Sequence, residues 1–165
     1  MQFEVVQYLD APLDVVEATF ADPRFQEELA RLPKLGQPEL LERREDGDTI
    51  FQRVHHVFDG DLSSAVKAVI DPAKLTWVEE SVEDRRTHRT RITIVPDFYS
   101  GAFESYGLIQ LEPHGSDQTI RTATGEVTVR VPLFGSKVEA AIISGLHEHA
   151  ELEEEAFNDW VSSRR

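Results

Sequence analysis

The sequence predicts an α+β fold in which a curved antiparallel β-sheet packs against one long C-terminal helix. Two observations carry this prediction. Residues 136–163 contain no proline and a single glycine, Gly145, and their apolar side chains recur at helical spacing. Alternating strand patterns separated by turn signals fill most of residues 39–131. At about 1.5 Å per residue the helix would span roughly 40 Å, enough to cross a small sheet from edge to edge.

The composition indicates one globular domain covering residues 1–165. Hydrophobic residues make up 40% of the chain and charged residues 29%, which is typical of globular proteins. The net charge of −14 disfavours nucleic acids and anionic lipid headgroups as partners, because both are negatively charged. The absence of cysteine excludes disulfides and thiolate chemistry, and a cytoplasmic location is expected. No apolar run or leader-like N-terminus is found, so no integral membrane association is expected.

The chain opens with a strand pattern at residues 2–9, and two short helices are predicted after it. Pro12 marks the start of the first helix. Asp22 and Pro23 are suited to the N-cap and first position of the second.

A hairpin is then predicted at Asp46-Gly47, joining residues 39–45 to residues 48–58. Pairing outward from this turn sets Leu41 opposite Gln52. The face taken as inward then carries Leu41, Ile50, Gln52, Val54, His56 and Phe58.

A short amphipathic helix is predicted near residues 62–70, where the apolar positions are Leu62, Val66, Val69 and Ile70. Two roles are open for it: a plug that closes one end of the sheet, or a lid over a cavity mouth.

The next hairpin is predicted to turn near Asp84-Arg85, with Glu80 opposite Arg89 and Val78 opposite Arg91. Its apolar face carries Leu75, Trp77, Ile92 and Ile94. The acidic side chains of this hairpin, with its arginines, are interpreted as a mixed-charge solvated face made of Glu79, Glu80, Glu83, Asp84, Arg85, Arg86, Arg89 and Arg91.

Two further strands are predicted at residues 102–112 and 117–131. The apolar side chains of the first, Phe103, Ile109 and Leu111, are matched with Ile120 and Thr122 across the hairpin. The apolar parity then shifts at Gly125, which predicts a β-bulge there.

The order of elements resembles the START-like (SRPBCC) superfamily, whose helix-grip fold wraps a seven-stranded curved sheet around a C-terminal helix. The resemblance is carried by the segments MQFEVVQYLDAPLDVVEATFADPRF, HHVFDGDL and GEVTVRVPLFGSKVEAAIISGL. Within that superfamily the chain is similar to the bacterial DUF2505 family. The resemblance implies a cavity between helix and sheet, with an apolar ligand as its commonest cargo. It does not imply one function, since the superfamily includes carriers, cyclases and regulatory modules.

The candidate cavity lining combines the inward sheet face with the helix stripe: Gln52, Val54, His56, Trp77, Ile92, Ile94, Phe103, Ile109, Ile142, Leu146 and His149. His149 is either a polar handle for a ligand, a hydrogen-bonded core histidine, or a histidine near the exposed end of the helix. Gln52 and His56 either orient a ligand's polar end or lie on the exposed face. Gly145 indicates either close approach of the helix to the sheet or room for a ligand. Glu153 belongs to an acidic run interpreted as a solvated helix face.

No catalytic, metal or cofactor motif stands out, so no cofactor is expected. His55 and His56 point to opposite faces of one strand, and His147 and His149 are two apart where a helical metal pair needs three or four. The leading hypothesis is a non-enzymatic carrier or sensor of a hydrophobic small molecule such as a lipid, polyketide or isoprenoid. The alternatives are a cyclase- or dehydratase-like enzyme using His56 or His149, and a domain without a cavity that acts through protein contacts.

Overall fold

A computed structural model describes residues 1–68 and 70–164. Within them the chain forms seven long strands, one two-residue strand and four α-helices. The strands are β1 (Gln2–Leu9), β2 (Lys34–Leu35), β3 (Glu39–Asp46), β4 (Thr49–Asp59), β5 (Thr76–Asp84), β6 (Arg89–Pro96), β7 (Phe103–His114) and β8 (Gln118–Val129). The helices are α1 (Leu13–Ala21), α2 (Pro23–Leu29), α3 (Ser64–Lys67) and α4 (Gly135–Ser162).

The strands form one antiparallel sheet in the order β1-β8-β7-β6-β5-β4-β2, and β3 also pairs with β4. The sheet curls around α4, which packs mainly on β1, β8 and α2. The predicted α+β, helix-grip fold is therefore confirmed. We call the sheet face toward α4 the inner face.

Two apolar clusters fix α4 to the sheet, one near each end of the helix. Toward the C-terminus, Phe157 and Phe25 are fully buried with ring centroids 5.8 Å apart, and the cluster also contains Leu9, Ala11, Val16 and Val161. Asp22 caps α2 as predicted and accepts from the Arg24 amide. Toward the N-terminus, Val138 packs with Val127 and Val129. The middle of the inner face belongs to neither cluster.

The free edge of β1 is covered by side chains of α4. The amides of Tyr8 and Asp10 donate to Glu154 Oε2 at 3.0 Å and to Asn158 Oδ1 at 2.9 Å. Asn158 Nδ2 donates in turn to the Tyr8 carbonyl at 3.1 Å. These bonds satisfy backbone groups that an edge strand would otherwise offer to another chain.

Both predicted hairpin registers are displaced along their strands. Arg43 lies opposite Gln52, because Gly47, with φ of 56°, takes the first position of the loop. Leu41, predicted opposite Gln52, sits instead at a bulge between the paired residues on either side of it. In the second hairpin Asp84 pairs with Arg89 across a four-residue loop. Both displacements keep the parity, so the residues of β4, β5 and β6 predicted to share a face still do, whereas the bulge in β3 sets Leu40, and not Leu41, on the inner face opposite Val54.

The bulge predicted at Gly125 is wrong, because β8 keeps one continuous register with both neighbours. Gly125 is explained by crowding: a Cβ there would lie 2.3 Å from the Tyr106 carbonyl oxygen and 2.7 Å from the Phe3 ring. The predicted matching of faces in this hairpin is wrong too, since Ile109 lies opposite Ala123 and Ile120 is on the outer face. The inserted helix α3 spans only four residues, and Val69, one of its predicted positions, lies outside the described residues.

Candidate functional site

A group of polar side chains occupies the middle of the inner face, between the two apolar clusters. It draws on strands β1, β4, β5 and β8 and on α4. We call it the polar cluster; its members are Gln7, His56, Glu79, Arg121, His149 and Glu153.

A salt bridge anchors the polar cluster to α4. Arg121 Nη1 donates to Glu153 Oε2 at 2.5 Å and to Gln7 Oε1 at 2.6 Å. Gln7 Nε2 donates to the Ala150 carbonyl at 2.8 Å, which fixes β1 to the helix. The side chains of Arg121 and Glu153 are only 17% and 14% exposed. Burial alone would raise the pKa of Glu153, but the charge and hydrogen bond of Arg121 hold it below its ordinary value.

Glu79 is the acidic group of the polar cluster that is not hydrogen-bonded. It lies on β5 between Val54 and Ile94 of the neighbouring strands, on the inner face. Its carboxyl makes no hydrogen bond with any described residue. Burial raises the pKa of Glu79, Arg121 opposes that shift, and the negative charge of Glu153 adds to it. The interpretation of Glu79 and Glu153 as solvated surface is therefore wrong.

Two histidines of the polar cluster, His56 on β4 and His149 on α4, are close enough for their charges to interact. The ring of His56 stacks on Trp77, its partner on β5, with centroids 5.6 Å apart and planes 18° apart. Burial lowers the pKa of His56, helped by the charges of His55 and His149. The Nδ1 atoms of His56 and His149 are both buried, and neither has a hydrogen-bond partner among the residues that the structure describes. The alternative of a hydrogen-bonded core histidine thus fails at Nδ1 of His149.

The residues predicted to line the cavity lie in different places. One group shares the inner face with His56 and remains partly exposed: Gln52, Val54, Trp77, Ile92, Ile94 and Ile109. Phe103 and Ile142 instead pack on the apolar cluster around Val138. Leu146 is 37% exposed on α4. Most of the candidates predicted from the sequence therefore lie on one face. The prediction did not include the acidic and basic members of the polar cluster, Glu79, Arg121 and Glu153.

Gly145 marks open space beside α4. It lies on the turn between Ile142 and His149, and a Cβ built on it meets no neighbouring atom within 4 Å. The explanation of Gly145 by close approach to the sheet is therefore wrong, and the alternative of room for a ligand is left. Two pockets, of about 540 and 180 Å³, lie on the outer face over β1, β7 and β8, and neither is lined by Gly145 or by a member of the polar cluster.

Among the described residues, no helix is both long and apolar enough to cross a membrane, and no three His, Asp or Glu side chains are grouped to hold a metal ion. The single-domain organisation, the cytoplasmic location and the absence of a nucleic-acid partner stay predictions.

The family profile described as a protein of unknown function, DUF2505, matches residues 4–161. The chain belongs to the DUF2505 family. Comparison with curated proteins gives no match. Solved structures show the fold of this DUF2505 protein to be START-like, as the resemblance implied.

Three of these structures illustrate the likeness. Protein TTHA0849 of Thermus thermophilus aligns with a TM-score of 0.67 and 19% identity, covering 99% of both chains. The Zhui aromatase/cyclase of Streptomyces sp. R1128 gives 0.65 and 14%, covering 99% of this chain and 94% of its own. A START superfamily protein of Mycobacterium smegmatis gives 0.57 and 16%, covering 99% of both. At these identities the likeness establishes the fold.

Proposed function

We propose that this DUF2505 protein binds an apolar small molecule between the inner face of the sheet and α4. The molecule's apolar body would lie on Trp77, Ile92 and Ile94, and its polar end would reach the polar cluster. The observation that carries this proposal is the pair of buried, unpartnered Nδ1 atoms on His56 and His149. Each such atom costs about 1–3 kcal/mol unless something bonds it, so a bound polar group offsets a cost already present in the fold.

The space beside Gly145 supports the same conclusion. A mid-helix glycine costs about 1 kcal/mol relative to alanine, and no contact of the sheet requires one here. Room for a ligand at this turn accounts for the glycine. The adjacent side chains, Ile142 and His149, would then supply an apolar and a polar contact to the same molecule.

Titration with the uncharged fluorescent probe Nile red tests the proposal. The wild-type protein is expected to bind the probe saturably. Gly145→Leu should weaken binding at least about tenfold, because several added carbon atoms occupy the space. Ser144→Leu is the matched control: it adds the same side chain one position away, at an exposed site, and should leave the affinity within about twofold. Equal effects of the two variants, or no saturable binding, would contradict the proposal and favour a domain acting through protein contacts.

An enzymatic function is the second candidate, favoured by the opposite pKa shifts in the polar cluster. Burial lowers the pKa of His56 and raises that of Glu79, and these opposite shifts favour a base and an acid on one face. A cyclase or dehydratase needs such a pair, and one structural neighbour is described as an aromatase/cyclase. The expected result is that His56→Ala and His149→Ala abolish turnover of a linear poly-ketone while the melting temperature changes little. Retained turnover in both variants would exclude this chemistry.

A further inference from the structure

The inner face carries little positive charge. At the inner-face positions of the seven long strands the charged residues are Arg43, Glu45, Glu79, Glu83 and Arg121, and Arg43 is paired with Glu45. Arg121 Nη1 already bonds Glu153 and Gln7, so the positive charge of Arg121 is paired with a carboxylate of the protein. The nearby helix face adds Glu153, whose charge Arg121 balances. A ligand entering this space therefore meets the unbonded carboxyl of Glu79, while each arginine of the inner face that the structure describes already has an acidic partner.

The free hydrogen-bonding groups point to the same class of ligand. The Glu79 carboxyl has no hydrogen bond among the described residues, and a carboxylate only accepts. A neutral imidazole has one nitrogen that accepts and one that donates, and among the described residues the Nδ1 atoms of His56 and His149 are both unbonded. A group that donates hydrogen bonds can satisfy all three side chains. A carboxylate or phosphate cannot bond an ionised Glu79.

We propose that the polar end of the ligand is a hydrogen-bond donor without negative charge, an alcohol, a phenol or an amide, and that the site discriminates against carboxylates and phosphates. This inference rests on the proposed ligand-binding function and narrows it. Free fatty acids and phospholipids are then excluded as cargo, although their chains would suit the apolar face. Neutral hydroxylated aromatic or isoprenoid-like molecules are favoured.

The net charge of the whole chain also disfavours an anionic ligand. A net charge of −14 gives the protein a negative potential that lowers the local concentration of anions. Inside the gap the effect is larger, because a carboxylate loses its hydration without gaining a partner charge. Exclusion of anions is thus expected in both the encounter and the bound state.

Displacement of bound Nile red by matched naphthalenes tests the inference. 2-Naphthamide and 2-naphthoate have nearly the same shape and differ in charge, and 2-naphthol supplies a smaller neutral donor. At pH 7.5 the amide and the naphthol should displace the probe at concentrations at least about tenfold below the naphthoate. Glu79→Gln should shrink this ratio at least about threefold. Glu80→Gln, the next residue along β5 and on the outer face, should leave the ratio unchanged.

The outcomes separate this inference from the proposed function. Naphthoate that displaces the probe as well as the amide overturns the inference, while the ligand-binding function stands. An unchanged ratio in Glu79→Gln, or failure of all three compounds to displace a bound probe, also overturns it. Absence of saturable probe binding overturns the proposed function and this inference with it.

Discussion

Replacing Gly145 by alanine measures the space beside α4 directly. The substitution removes the entropic cost of a glycine in the middle of a helix, about 0.8–1.0 kcal/mol. The added methyl meets no neighbouring atom within 4 Å, so no steric cost opposes the gain. The free energy of unfolding should therefore rise by about 1 kcal/mol, which raises the melting temperature by about 2–4 °C for a chain of this length.

Urea unfolding followed by far-UV circular dichroism gives this number, with Gly125→Ala as the control. The same methyl at Gly125 would lie 2.3 Å from the Tyr106 carbonyl oxygen and 2.9 Å from the Gly107 Cα. That strain should lower the free energy of unfolding by about 1–3 kcal/mol. Two identical chemical changes are thus expected to have opposite signs. A Gly145→Ala variant that is destabilised, or unchanged, would refute the reasoning by showing that the helix lies closer to its neighbours.

Three further predictions concern the polar cluster, each checked by urea unfolding. Arg121→Met should lower the free energy of unfolding by about 3–5 kcal/mol, because it leaves buried Glu153 without a partner charge. The double variant Arg121→Met/Glu153→Met should recover most of this loss. Burial raises the pKa of Glu79 above the unfolded-chain value of about 4.3, so its ionisation costs the folded state stability above that pH, and Glu79→Gln should stabilise at pH 7 and not at pH 3. Burial lowers the pKa of His56, so wild-type stability should fall as the pH drops below about 6.5, and His56→Phe should reduce that loss.

Each of these has a contradicting result. If the double variant is as unstable as Arg121→Met, the cost does not come from an unpaired carboxylate. A gain from Glu79→Gln that persists at pH 3 would show that charge is not its cause. A His56→Phe variant with the wild-type pH profile would assign the acid sensitivity to other groups.

The fold was predictable because its signals are local and repeated. The spacing of apolar residues in α4 and the alternation in β4–β6 each depend on near neighbours in sequence. The register errors in the first two hairpins left the faces of β4, β5 and β6 correct, since both displacements preserve parity, but the bulge in β3 exchanged the faces predicted for Leu40 and Leu41. In β8 the predicted alternation of inward and outward side chains was wrong around Ile120. Its inner face carries Arg121 and small residues while Ile120 points outward, so hydrophobicity indicated the wrong face at the strand that holds the polar cluster.

The site was predictable in part for a related reason. His56 and His149 interrupt apolar patterns, and such interruptions can be read from one sequence. Glu79 and Glu153 resemble surface residues in sequence because charged residues are seldom buried unless paired. The alternation of β5 places Glu79 with Trp77, and the helical period places Glu153 one turn after His149; both signals were available. The bond between Arg121 and Glu153 joins residues 32 apart and depends on tertiary structure.

The hydrogen bonds between α4 and β1 restrict the route by which a ligand could enter and leave the protein. Lifting the C-terminal half of α4 would break the contacts of Glu154 and Asn158 with the β1 backbone and uncover a strand ready to pair with another chain. Ligand exchange by that route would carry a risk of aggregation. On the opposite side, over β4–β6, α4 makes few contacts. We expect the ligand to enter and leave on that side. Exchange there would leave the hydrogen bonds that cover the β1 edge intact.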